Sequence, residues 1–169
     1  MIFQTLFPLM GIVFGERREL CKTICMKKGI DYTGIVVIFA CHDGKGNFLL
    51  AKRGGGARDA VGMWEITGGG LKFGETVEEA LHRELREELC ITAKEYTFCG
   101  YCDWISELDG VKSHWVSMIH AVLVDPSTVR IGEPEKCEAI AWHTLDNLPS
   151  PLHIGVLPTL EKVSLVLSK

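Results

Sequence analysis

Hydrophobic and polar positions alternate between two periods along this chain. Gly34–Ala40 (GIVVIFA) is a β-branched run and Phe48–Lys52 a second apolar run; the turn formers Asp43-Gly44-Lys45-Gly46-Asn47 lie between them. Together they predict a hairpin whose first strand is buried. Trp64–Ile66 predicts a short strand, Tyr96–Ile105 and Lys112–Val124 two longer ones around Asp109-Gly110, and Ala139–His143 another. The period changes in between. Leu81, Leu85 and Leu89 fall at i, i+4 and i+8, which is one apolar arc of a helix, and Thr76 with Glu79 forms a capping box at its start. Beyond Pro149 and Pro151, the positions Leu152, Val156, Leu160 and Val163 have helical spacing again, with Pro158 expected to bend or shorten that helix. Strands interrupted by one helix and closed by another predict an α/β sandwich.

The first helix carries the chemistry. Beside its apolar arc, Glu84, Glu87 and Glu88 crowd onto one face, where like charges destabilise a helix unless a cation joins them. A cluster of hard oxygen donors suits Mg²⁺ or Mn²⁺, which take a few carboxylates and leave positions for water and phosphate oxygens. Before the helix, Thr67-Gly68-Gly69-Gly70 predicts a flexible turn whose backbone can approach a metal or phosphate closely.

The spacing from Gly69 through Glu75 to Arg83-Glu84-Leu85-Arg86-Glu87-Glu88-Leu89-Cys90-Ile91 resembles the Nudix box of the Nudix hydrolases, and matches it at every defined position but one. The exception is Cys90, where the family has glycine; a non-glycine residue in the left-handed conformation expected there costs roughly 1 kcal/mol. Thr67 also departs, standing where relatives often have proline. The resemblance covers roughly Asp31 to Lys162 and implies the Nudix-type α/β/α sandwich with a mixed sheet. It further implies that Glu87, Glu88 and the Gly68 carbonyl are metal ligands, and that Glu84 either binds metal or takes the proton of the attacking water. Glu84, Glu87 and Glu88 are accordingly the catalytic candidates. Arg83 is expected to pair with Glu75, making these two and Gly69 supports of the site.

Length and 47% hydrophobic content suit one packed domain. Residues 1–25 begin with an apolar stretch, Met1–Gly15, that is broken by Pro8 and Gly11 and too short to span a bilayer. They are expected to be an extension, with the domain occupying 26–169. A net charge of −4 gives no general attraction to long nucleic acid, so the expected partner is a small nucleotide held through metal. A cytoplasmic protein without a membrane segment is expected, and a homodimer is compatible with the sequence. Seven cysteines without framework spacing predict reduced thiols. Cys21/Cys25 and Cys99/Cys102 also have the spacing of a four-thiolate zinc site; the simpler expectation puts Cys99 and Cys102 on opposite faces of a strand.

Substrate signals are sparser. The segment Glu133–Glu138, with Trp142 and Leu148-Pro149 behind it, resembles the base-side region of MutT-type nucleoside triphosphate diphosphatases. Glu133, Glu135 and Glu138 are candidates for a further carboxylate, and Arg53, Glu135 and Trp142 for substrate contacts. The proline that ADP-ribose hydrolases carry beyond the box is replaced here by Ile105, whereas the upstream motif of coenzyme A hydrolases is partly present in Leu49-Leu50, Arg53, Arg58, Gly62 and Gly68-Gly69. The expected reaction is therefore cleavage of a nucleoside triphosphate, including one with a modified base, to monophosphate and pyrophosphate. The alternatives are hydrolysis of coenzyme A, a dinucleotide or a sugar nucleotide, and a non-hydrolysing nucleotide sensor.

Overall fold

The computed structural model describes residues 26–93 and 95–168. The 1–25 extension, and with it Cys21 and Cys25, lies outside the described residues. Strands β1 (Gly34–His42), β2 (Phe48–Arg53), β3 (Trp64–Glu65), β4 (Gly68–Gly70), β5 (Glu95–Leu108), β6 (Val111–Leu123) and β7 (Cys137–His143) form one sheet. Helices α1 (Val77–Leu89) and α2 (Val156–Leu167) pack against it. The sheet is mixed: β1 runs parallel to β6, and the remaining pairings are antiparallel.

Period-2 alternation assigns the strand side chains to two cores. Val37, Phe39, Cys41 and Leu49 are buried with Leu81, Leu85 and Leu89 of α1. Ala40, Phe48 and Leu50 pack instead with Val156, Leu160 and Val163 of α2. The expected α/β sandwich with a mixed sheet is the observed one. Among the described residues no helix is long and apolar enough to cross a membrane.

Four local expectations need correction. The β1/β2 hairpin is brief: the two strands meet only at His42 and Phe48, after which β2 pairs with β7. The edge of β1 thus vacated is taken by β4. Secondly, Gly68–Gly70 is this strand and not a flexible turn. A Cβ on Gly68 would lie 2.3 Å from the Val37 carbonyl oxygen, and one on Gly69 1.9 Å from the Glu84 carboxyl. Glycine is needed here for close approach between β1 and α1. Thirdly, Pro158 sits in the first turn of α2, where its missing N–H would have no helical partner anyway, so α2 runs on to Leu167. Finally, Cys99 and Cys102 do not face opposite ways. The register shifts between Phe98 and Gly100, and this bulge brings both cysteines against the α2 core. The five described cysteines are free thiols.

Candidate active site

Helix α1 begins as its sequence predicts. Thr76 Oγ1 accepts the Glu79 N–H and Glu79 accepts the Thr76 N–H, closing the capping box. Its other end turns off at Cys90, whose φ of 57° and ψ of 27° are left-handed. The last carbonyls then find donors in the loop between β6 and β7: Arg130 N–H reaches Leu89 at 3.0 Å and Gly132 N–H reaches Glu88 at 2.8 Å. Gly132 lies so close to the helix that a Cβ would come 2.0 Å from the Glu87 carbonyl oxygen. That contact also brings Glu133 to the acidic face.

Arg83 joins this helix to the loop before it. It bonds both carboxylate oxygens of Glu75 at 2.6 and 2.9 Å, and the Gly70 carbonyl at 3.1 Å. The guanidinium holds the Glu75 carboxyl far below the usual range, at about 2. It also reaches Glu84 at 2.6 Å and Glu87 at 3.1 Å. Glu84 is buried beneath Gly69, whereas Glu87 is half-exposed.

Glu88 has a different environment. Its one described hydrogen bond comes from the Gly68 N–H at 3.2 Å. Burial, with the charges of Glu84, Glu65 and Glu133 adding to it, pushes its carboxyl up to about 8. Antiparallel alternation explains why Gly68 is available. Thr67 and Leu71 bond β1 on either side, so the peptide groups of Gly68 face away from β1. Its carbonyl is therefore free of the ladder beside Glu88.

These groups line a cleft of about 610 Å³ that also holds Arg53, Glu65 and Lys136. The sequence candidates separate here. Gly68, Gly69, Arg83, Glu84, Glu87, Glu88, Arg53 and Glu133 all line it. Glu75 stands behind Arg83. Arg53 is committed to Glu65 and to Asp59, the latter at 2.7 Å, and so holds its own loop in place. Glu135 presents its backbone, accepting the Gly56 N–H at 2.9 Å, and Glu138 pairs with Lys52. Trp142 packs with Ile140 against the α1 core instead of entering the cleft. Cross-strand pairing with Leu49 dictates this, since Leu49 faces α1 as well. The aromatic surface comes from Trp115 and Trp104, which the sequence reading missed. Trp115 lines this cleft and Trp104 an adjoining one; the β1/β6 and β5/β6 registers place them, and local pattern is blind to both.

The donor set fits a hard divalent cation: carboxylates, a free carbonyl, and a half-buried Glu88 carboxyl whose neighbours are mostly acidic. Among the described residues no three His, Cys, Asp or Glu side chains form a ready-made cage, and Arg83 engages Glu84 and Glu87. Each of the two gives Arg83 a single oxygen and keeps the other for a further partner.

A glycine strand, a capped acidic helix and an Arg–Glu clasp thus meet at one cleft, and comparison with known proteins gives the class. Residues 31–163 match the NUDIX domain, so the chain belongs to the Nudix family and is a Nudix pyrophosphohydrolase. It is 36% identical over 109 residues to the nucleoside triphosphatase NudI of Enterobacter sp. (strain 638), covering 61% of this chain and 77% of that protein. A NudI of Escherichia coli (strain K12 / DH10B) is 50% identical over 44 residues, but the match spans only 31% of its length. Among solved structures, the MutT NUDIX hydrolase from Burkholderia pseudomallei aligns with a TM-score of 0.70 and 32% identity, over 78% of this chain and 98% of that one.

Proposed function

We propose that this chain hydrolyses a nucleoside triphosphate to the monophosphate and pyrophosphate, with Mg²⁺ or Mn²⁺ held by Glu87, Glu88, Glu84 and the Gly68 carbonyl. The observation that carries this reading is the half-buried Glu88 among Glu84, Glu65 and Glu133 in the lining of the cleft. When bound, the cation neutralises charge on bridging phosphates and activates water. The protein's own residues do the rest. Arg83, anchored on Glu75, keeps α1 in register with β4, so that Gly68 and Glu88 stay adjacent. Glu84, buried on the same face, holds the cation or, where its oxygens stay clear of it, takes the proton of the attacking water. Lys72 and Lys136 at the cleft wall supply positive charge for the outer phosphates.

The triphosphate reading draws support from the two NudI relatives, which are named nucleoside triphosphatases. The test is a panel of dGTP, 8-oxo-dGTP, ADP-ribose and coenzyme A in ¹⁸O-labelled water with Mg²⁺, reading both products. Monophosphate plus pyrophosphate from a triphosphate is the expected result. Release of inorganic phosphate, or turnover of coenzyme A alone, overturns the assignment and leaves the family membership intact.

A further inference from the structure

Next to the phosphate cleft lies a second one of about 410 Å³, reaching to the start of α2, and the two share Arg58 and Trp115. Trp115 has an unusual seat. A Cβ on Gly29 would come 2.2 Å from its indole ring, and one on Gly34 2.4 Å. Two residues without side chains thus form a bed on which the ring is laid. The Arg58 guanidinium lies over the ring, 5.4 Å from its centroid, and its side chain is 75% exposed. An exposed arginine over a tryptophan can open to admit a flat ring between them, since both planes stack well.

The far wall supplies polarity. Trp104, directly opposite Trp115 across β5 and β6, is oriented by a 3.0 Å hydrogen bond from its Nε1 to Ser117. Beside it, His153 Nδ1 accepts the Gly155 N–H at 3.2 Å. The neutral ring therefore carries its proton on Nε2, and Nε2 is a hydrogen-bond donor. Two carboxylates, Asp59 and Glu65, line the same cleft, but Arg53 and Arg58 engage them, so that the His153 Nε2–H is the donor left to address a ligand.

We infer that Trp115 and Arg58 clamp the nucleobase of the substrate, and that His153 reads its edge in favour of bases presenting carbonyl oxygens, as uracil, thymine and guanine do and adenine does not. The inference rests on the nucleotide reading of the site above and names the part of the molecule that would set base preference.

Calorimetric binding of UMP, dGMP and AMP to the full chain without metal tests it, because these ligands lack the diphosphate that the acidic face addresses. The wild-type protein should bind UMP and dGMP more tightly than AMP. Trp115→Leu and Arg58→Ala should each weaken UMP binding, the former roughly tenfold, as loss of one stacked base predicts. Trp115→Phe should recover most of the loss, and His153→Ala should abolish the preference over AMP. In turnover the same variants should raise KM for the triphosphate and leave the Ki of imidodiphosphate, which has no base, unchanged. Unchanged UMP affinity in Arg58→Ala and Trp115→Leu alongside intact triphosphate hydrolysis overturns the clamp alone. UMP affinity lost in Trp115→Leu, in a protein that cleaves no triphosphate, overturns the reaction alone. A parallel rise in imidodiphosphate Ki marks general damage, and also overturns the clamp.

Discussion

Cys90 shows how far a single residue can be read from its position. Its place at the end of a helix predicted a left-handed backbone, and φ is 57° with the side chain exposed. Exposure means that the thiol adds no packing to offset the strain. Cys90→Gly should therefore stabilise the protein by about 1 kcal/mol, a rise in Tm of about 2–4 °C for a domain of this size, and a scanning calorimeter would detect it. An unchanged or lower Tm would mean that the unfolded-state entropy of glycine cancels the relief. Gly69 has the opposite sign. A methyl group there would meet the Glu84 carboxyl at 1.9 Å, so Gly69→Ala should lower both stability and activity, and a variant melting like the wild type would show that Glu84 can move aside. Trp115 and His153 were not legible in this way. The seat of Trp115 is made by Gly29 and Gly34, which are distant from it in sequence, and the local bond from Gly155 to His153 leaves no mark in residue type.

At the scale of elements, α1 was legible almost completely, since cap, apolar arc and C-terminal turn are all written in local sequence. The strand β4 was not. Three glycines have no β propensity, and they are held in the sheet by β1 on one side and α1 on the other. The β5 bulge escaped for a related reason: an inserted residue leaves no mark in composition, yet it reverses the facing of Cys99. The joint between β4 and α1 is the Glu75–Arg83 pair, and it has a pH signature. Glu75 has a folded-state value of about 2 against an ordinary value of 4.5. A depressed carboxylate stabilises the fold fully above its unfolded value, and that contribution is lost as pH falls through the folded one. Glu75→Gln should thus lower Tm at pH 7, with the difference from wild type shrinking between pH 4.5 and pH 2. A difference independent of pH over this range would show that the pair contributes through packing and not through charge.

For the whole molecule, the layered fold follows from the two periods in the sequence, whereas the position of the acidic cleft depends on how the layers are joined. The parallel β1/β6 pairing and the Gly132 contact bring Val36, Trp115 and Glu133 around a helix that is distant from them in sequence. The arrangement concentrates negative charge on one face of α1, which is the repulsion that the proposed cation would relieve. Glu87 is the half-exposed member of that cluster, and its contacts are the shared Arg83 and a distant Lys72 at 4.0 Å. Removing its charge should therefore leave the fold standing. Glu87→Gln should melt at or slightly above the wild-type temperature without metal, since repulsion is relieved, while catalysis falls by orders of magnitude. Millimolar Mg²⁺ should raise the Tm of the wild type, because an ion that binds only the folded state stabilises it in proportion to RT ln(1 + [L]/Kd), and that increment should shrink in the variant. Thermal melts with and without Mg²⁺, beside initial rates on a triphosphate, separate the possibilities. Activity within a few-fold of wild type would remove Glu87 from the mechanism, and a metal-free Tm several degrees lower would show that its ion pair with Arg83 outweighs the repulsion.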